Sequence, residues 1–234
     1  MAGGDHVDSK YYQMASPRSL GERLTIAARD RIYDDFVRHC GPAADDTILD
    51  VGVSDVVNDA ANLLERKYPH PDRITALGLG EGTDFCAAFP AVAYRRIAAN
   101  EALPFADRSF AVATSNAVLE HVGSRANQLR FVAELMRVAR KVFITVPHRF
   151  FPVEHHTAIP FAHYFDRTFG PACRALGKAE WADEANLILM SKSRLRALAP
   201  ADAVVAHTGL RLGPFSSNLL LVIDQAARAG ATGR

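Results

Sequence analysis

Two apolar rhythms alternate along this chain. Leu20, Leu24, Ala28, Ile32 and Phe36 recur every fourth residue after Ser16-Pro17, and Cys40-Gly41-Pro42 stops the run. One apolar stripe among arginines and acids predicts a helix laid on something larger. From Thr47 to Asp55 the rhythm changes. Ile48, Leu49, Val51 and Val53 form a nearly continuous apolar run, which predicts a short strand covered on both faces that ends in a carboxylate and a glycine turn. Helical spacing resumes from Val56, with Val57, Ala61 and Leu64 on one stripe, until Pro69 and Pro71 close it. Arg73–Leu79 predicts a second strand, Gly80-Glu81-Gly82 a flexible turn, Tyr94–Ala98 a weaker third strand and Phe110–Thr114 a fourth. Arg125–Arg140 carries Leu129, Val132, Met136 and Ala139 at helical spacing, and Lys141–Val146 reads as a fifth strand stopped by Pro147. Buried strands alternating with helices predict an α/β protein with parallel βαβ units in a doubly wound sheet.

The order breaks after Pro147. Residues from 148 to about 190 hold no clean period but carry Phe150, Phe151, Phe161, Tyr164, Phe165, Phe169 and Trp181. They predict an aromatic-rich insertion beside the edge where strands end, where such folds carry substrate contacts. A helix is expected at Lys192–Leu198, and the runs Ala203–His207 and Leu219–Ile223 are spaced to pair as a hairpin. Residues 1–16 read as a flexible polar arm, and 17–234 as a single domain, which a chain of 234 residues suits.

Composition narrows the partners. A formal charge of +1 argues against nucleic acid or an anionic membrane. Three widely spaced cysteines form no disulfide or zinc pattern and suit a reducing cytosol. The first ten residues lack the apolar run of a signal peptide, and no segment approaches the ~18–20 apolar residues of a membrane span. A cytoplasmic protein is expected; nothing in the sequence fixes its oligomeric state.

Four segments, in order, resemble a class I S-adenosylmethionine-dependent methyltransferase of the type 11-like group. They are Ile48-Leu49-Asp50-Val51-Gly52; Leu103-Pro104-Phe105-Ala106-Asp107-Arg108-Ser109-Phe110; Ser115-Asn116-Ala117-Val118-Leu119-Glu120-His121-Val122; and Val146-Pro147. The likeness runs from Thr47 to Pro147 and more weakly to Leu198. It implies a Rossmann-like, mostly parallel seven-stranded sheet with an antiparallel terminal strand, and a first helix packed across the cofactor-binding end. It also implies S-adenosyl-L-methionine as cofactor and methyl transfer to a small-molecule acceptor. The cofactor-binding residues it points to are Asp50 and Gly52 after the first strand, Gly78, Leu79 and Glu81 after the second, Asn100 and Glu101 after the third, and Ser115 and Asn116 after the fourth.

The chain also departs from that family. Ser54 and Val56 stand where D-x-G-x-G-x-G has its later glycines, Gly78 where an acid binds the ribose hydroxyls, and Ala99 where a second acid sits. A charge-assisted hydrogen bond contributes about 1.5–3 kcal/mol, so an uncompensated loss weakens binding roughly 10- to 150-fold. Glu81, Asp84, Asn100 and Glu101 are the nearby substitutes. A catalytically silent binding or scaffold protein is the alternative reading. A nicotinamide-dependent oxidoreductase is disfavoured, because G-x-G-x-x-G is not met at Gly52.

On the acceptor side, His121 follows the fourth strand and either accepts the acceptor's proton or shapes the loop. His148, Glu154, His155, His156 and His163 crowd one stretch. Adjacent His155 and His156 cannot point the same way in a regular element, and no helical histidine pair exists, so no metal site is expected. His121 and His155 are the catalytic candidates. Phe150, Phe151 and Tyr164 would be apolar walls for an acceptor with a hydrophobic part.

Overall fold

In the computed structural model, residues 20–57 and 61–225 are described. The apolar runs become seven strands: β1 (Ile48–Val51), β2 (Ile74–Gly78), β3 (Ala93–Arg96), β4 (Phe110–Asn116), β5 (Ala139–Pro147), β6 (Val204–Leu212) and β7 (Phe215–Asp224). They form one sheet in the order β3-β2-β1-β4-β5-β7-β6. β1 pairs parallel with β2 and β4, β2 with β3, and β4 with β5; β7 runs antiparallel to both β5 and β6. The sheet is thus mostly parallel, with the terminal hairpin and the antiparallel last strand that were expected.

Alternation along each strand divides the core in two. Leu49, Val51, Val142, Ile144, Leu219 and Leu221 pack under helix α4 (Arg125–Val138) through Val132, Leu135 and Val138. Ile48, Phe143, Leu220 and Val222 face the other way, onto Ile32, Phe36 and Cys40 of helix α1 (Leu20–Cys40). Phe36 meets Phe143 edge-on with ring centroids 5.6 Å apart. Such two-sided burial explains why β1, β4, β5 and β7 read as continuous apolar runs. β3 is the exposed edge, which explains its weaker signal.

Two helical expectations change. The helix expected from Val56 is confined, among the described residues, to α2 (Leu63–Lys67), and Val56 and Val57 are exposed. Asn62, in the left-handed region at φ 52°, both receives the Ser54 N–H (3.0 Å) and donates to the Ser54 carbonyl (2.7 Å). That clasp ties Ser54 to the residue before α2, where a continuous helix was expected. Conversely, the turn at Gly80–Gly82 leads straight into an unexpected helix, α3 (Thr83–Ala88). Its first turn is capped from outside by Asp55, whose carboxylate accepts the Phe85 N–H at 2.9 Å.

Residues 148–190 fold against the C-terminal edge of the sheet. They contain helix α5 (Asp166–Ala175) and a small core of Ile159, Phe169, Cys173, Trp181, Leu187 and Leu189. Backbone hydrogen bonds fasten this insertion at both ends, from His148 N to Ser217 O (2.8 Å), Arg149 N to Met190 O (2.9 Å) and Ile188 N to Glu120 O (2.8 Å). Helix α6 (Lys192–Arg196) then returns the chain to β6. The arm predicted at 1–16 lies outside the described residues. No helix among them is long and apolar enough to cross a membrane.

Candidate functional site

The ends of β1, β2 and β4, the inner face of α1 and the start of the insertion enclose one cavity of about 980 Å³. Its first wall is the turn after β1. Gly52 adopts φ +99°, and a Cβ there would come within 2.2 Å of Val118 Cγ2, so both backbone and neighbour require glycine. Ser54 and Val56, at the positions where the later glycines were expected, line the cavity beside it, as does Asn62.

The expected cofactor residues divide into two groups. Asp50, Gly52, Gly78, Leu79, Asn100, Glu101 and Asn116 all line the cavity. Glu81 does not: its side chain is 75% exposed and forms an ion pair with Arg96 on the outer edge of the sheet. Ser115 is buried, with its hydroxyl donating to Val51 O at 2.8 Å, and ties β4 to β1 without reaching the cavity. The missing acid at Gly78 has a structural counterpart. A Cβ there would meet Tyr94 Oη at 2.5 Å, and that hydroxyl donates to Gly80 O at 2.7 Å. Tyr94 therefore occupies the room that a longer side chain would need.

Two polar groups, Arg29 and Glu65, escape sequence reasoning. Arg29 reaches the cavity from α1, burial lowers its pKa to about 10, and no carboxylate pairs with it among the described residues. Asp50 points from β1 toward Glu65 of α2. Burial first, and then the Glu65 charge, raise the Asp50 pKa well above the usual carboxylate range; burial raises Glu65 as well. Neither Glu65 oxygen has a hydrogen-bond partner among the described residues. Arg29 sits on a polar face of an amphipathic helix and Glu65 in a charged pentapeptide, so neither had a distinguishing signal.

Arg137, in the last turn of α4, grips the Leu103–Phe110 segment. It donates to the Leu103 and Phe105 carbonyls (each 2.8 Å), to Asp107 (3.0 Å) and through two nitrogens to Glu134. Glu134 in turn accepts the Leu103 N–H at 2.7 Å. The Arg137 hydrogen bonds hold the Glu134 carboxyl below its ordinary pKa.

The insertion forms the far wall. His121, Phe151, Glu154, His155 and His156 line it, whereas His148, Phe150, His163 and Tyr164 do not. His163 is instead bonded to Phe151 O (2.8 Å) and Tyr164 to Phe150 O (3.0 Å). Of the three expected apolar walls only Phe151 faces the cavity. His155 donates to the Ser217 carbonyl, and burial lowers its pKa to about 4. Burial also lowers His121 to about 4. His121 Nδ1 lies 2.7 Å from the Asn186 carbonyl and its Nε2 lies 3.0 Å from His156 Nε2. His156 Nδ1 is 2.8 Å from Glu154 Oε1, while Glu154 Oε2 accepts from both the amide and the hydroxyl of Thr157 (2.6 and 2.7 Å). Although burial opposes it, these bonds bring the Glu154 pKa down to about 2. The adjacent histidines line the same cavity but have different partners, and His156 meets His121 from 35 residues away. Glu120 lies behind them, 1% exposed, with its pKa pushed up to about 7 by burial.

Residues 51–142 match the protein family described as a methyltransferase domain. No curated protein matches the sequence. Among solved structures, magnesium protoporphyrin IX methyltransferase from Synechocystis, with bound SAH, superposes with a TM-score of 0.55 at 10% identity, over 91% of this chain and 90% of that one. A SAM-dependent methyltransferase from Aquifex aeolicus gives 0.51 at 15% identity, over 92% and 97%. One from Methanosarcina mazei gives 0.51 at 14%, over 80% and 94%. At these identities the likeness is one of fold.

Proposed function

We propose that this chain, whose residues 51–142 match the methyltransferase domain family, is a class I methyltransferase that transfers a methyl group from S-adenosyl-L-methionine to a small-molecule acceptor with an apolar part. The observation that carries this reading is the continuity of one cavity from the Gly52 turn to His121 and His155. Donor and acceptor in one enclosure gain the alignment that an in-line displacement needs, worth about 7–11 kcal/mol when good.

The residues present fit the cofactor by charge and shape. Arg29, without a carboxylate partner among the described residues, suits the methionine carboxylate, and the Asp50 carboxyl suits its ammonium once that cation draws off its proton. Asn100 and Glu101 take over the ribose hydroxyls from the absent acid at Gly78, and Leu79 and Ile97 supply an apolar seat for the adenine. The bound cofactor supplies a methyl carbon activated by sulfonium, which departs from a neutral thioether. The chain's own work is to hold and align. Phe151 gives the acceptor an apolar wall, while His121 and His155 present imidazoles at the end of the cavity away from Gly52. The reading places the protein in the cytoplasm, acting on an acceptor that is not a nucleic acid, in keeping with a net charge of +1.

Tyr94 behind Gly78 and Glu81 turned outward favour a second reading, a methyltransferase fold that binds without turnover. Calorimetric titration with S-adenosyl-L-methionine and with its demethylated product tests the first. Saturable binding is expected, weakened about tenfold or more in Arg29→Ala, as for a lost charge-assisted contact. No heat and no thermal shift at millimolar ligand would sink the enzyme reading. Binding without product formation across acceptors would favour the second.

A further inference from the structure

Behind the acceptor wall, three side chains from two distant segments converge on one point. Each ligand atom offered by Glu120, His121 and His156 lies within 4.8 Å of the others. The two imidazoles are held in fixed tautomers. A carbonyl can only accept, so His121 must donate from Nδ1 to Asn186 O; His156 likewise donates from Nδ1 to the Glu154 carboxylate. With both rings neutral, the two facing Nε2 atoms are lone pairs 3.0 Å apart. Two acceptors at that separation call for a cation between them.

Glu120 says which cation. Its carboxylate is 1% exposed and neither oxygen has a hydrogen-bond partner among the described residues. Oε1 lies 4.0 Å from the same His121 Nε2. A proton shared between the rings would satisfy the two nitrogens and leave this buried carboxylate without a hydrogen bond. A divalent ion satisfies all three. Metal bonds of about 2.0–2.2 Å to nitrogen and oxygen place neighbouring ligands roughly 3–4 Å apart; the 3.0 and 4.0 Å spacings to His121 Nε2 already lie in that range, and the third, within 4.8 Å, closes with a side-chain shift of about an ångström. Imidazoles whose other nitrogen is bound to a carboxylate or a carbonyl are the usual supported form of metal-ligating histidine.

We propose that Glu120, His121 and His156 form a binding site for a divalent first-row transition-metal ion, whose open face takes a hydroxyl oxygen of the acceptor. Two nitrogens and one carboxylate suit zinc, iron or cobalt better than magnesium, which prefers an all-oxygen shell. His121 and His156 line the cavity and Glu120 does not, so the carboxylate closes the buried side of the site and the remaining positions open toward the acceptor. The acceptor class rests on the methyl-transfer reading of the cavity; the metal site does not.

The test uses the full chain, stripped with a chelator and titrated with Co²⁺ or Zn²⁺ by calorimetry, with Co²⁺ absorption as a second readout. One ion per chain is expected, with ligand-field bands in the visible. His156→Ala and the near-isosteric Glu120→Gln should each weaken binding at least tenfold, while His39→Ala leaves it unchanged. Glu154→Gln, which keeps the ligands but loosens His156, should cost about 10- to 100-fold. Absence of heat and bands, undiminished binding in a Glu120→Gln chain that retains its thermal midpoint, or preference for Mg²⁺ over Co²⁺ each overturns the site. A chain that binds S-adenosyl-L-methionine but no metal overturns this site alone. One that binds metal but no cofactor supports it and overturns the methyl-transfer reading.

Discussion

Glu65 shows how one side chain sets a pH dependence. A buried carboxyl with a raised pKa keeps its proton in the folded chain at a pH where the unfolded chain has released it. Stability therefore falls as pH rises past the ordinary carboxylate value of about 4, until the folded pKa is reached. Asp50 and Glu65 are both raised, so the pair is a growing liability from that point upward. Glu65→Gln is expected to stabilise the protein at about pH 8 by about 1–3 kcal/mol, the cost of an unsatisfied buried charge, and to gain little near pH 4. Urea unfolding across that range checks it, and a gain that is the same at both ends contradicts it. Asp50 was legible because it sits in a recognisable strand-and-turn. Glu65 was not, since its partner is fifteen residues back and much of the chain between them was expected to be helix.

Among the elements, those made by their own residues were the readable ones. β1, β2, β4, β5 and α4 each carry enough buried apolar positions to declare their period, and the structure places them within a few residues of expectation. α2 and α3 are five and six residues long, too short to show a period. Their ends depend on remote partners: the Asn62–Ser54 clasp for one and Asp55 for the other. The same holds for the site, where Gly52 and His121 lie inside local motifs but the His121–His156 contact spans 35 residues. Glu81 was misplaced because nearness to Gly78 in sequence says nothing about which side of the sheet edge a side chain takes. Arg137 joins α4 to the 103–107 segment through several bonds at once. Arg137→Ala is expected to lower stability by about 1–3 kcal/mol after allowing for partial exposure, and Arg137→Lys to recover less than half of it. Thermal unfolding of the two variants measures both.

At the scale of the whole molecule, the sheet order puts β1 and β4 side by side, so the Gly52 turn and the His121 turn face one another across a single pair of neighbouring strands. α1 then closes the cavity from one side and the insertion from the other, which is how residues as far apart as Arg29 and His155 come to share it. The bonds from His148, Arg149 and Ile188 have a consequence for traffic. They anchor both ends of the insertion to β7 and to the turn carrying Glu120, so that wall is a fixed doorpost. Passage is expected at the opposite side, where Leu24 of α1 and Val56 after β1 line the cavity and stand exposed. In hydrogen–deuterium exchange the Ile188 and Arg149 amides should stay protected far longer than those of 56–57, and cofactor should slow exchange at the rim while leaving the doorpost unchanged. If the insertion amides instead exchanged first, passage would lie there, and the acceptor would enter through the wall that reads it.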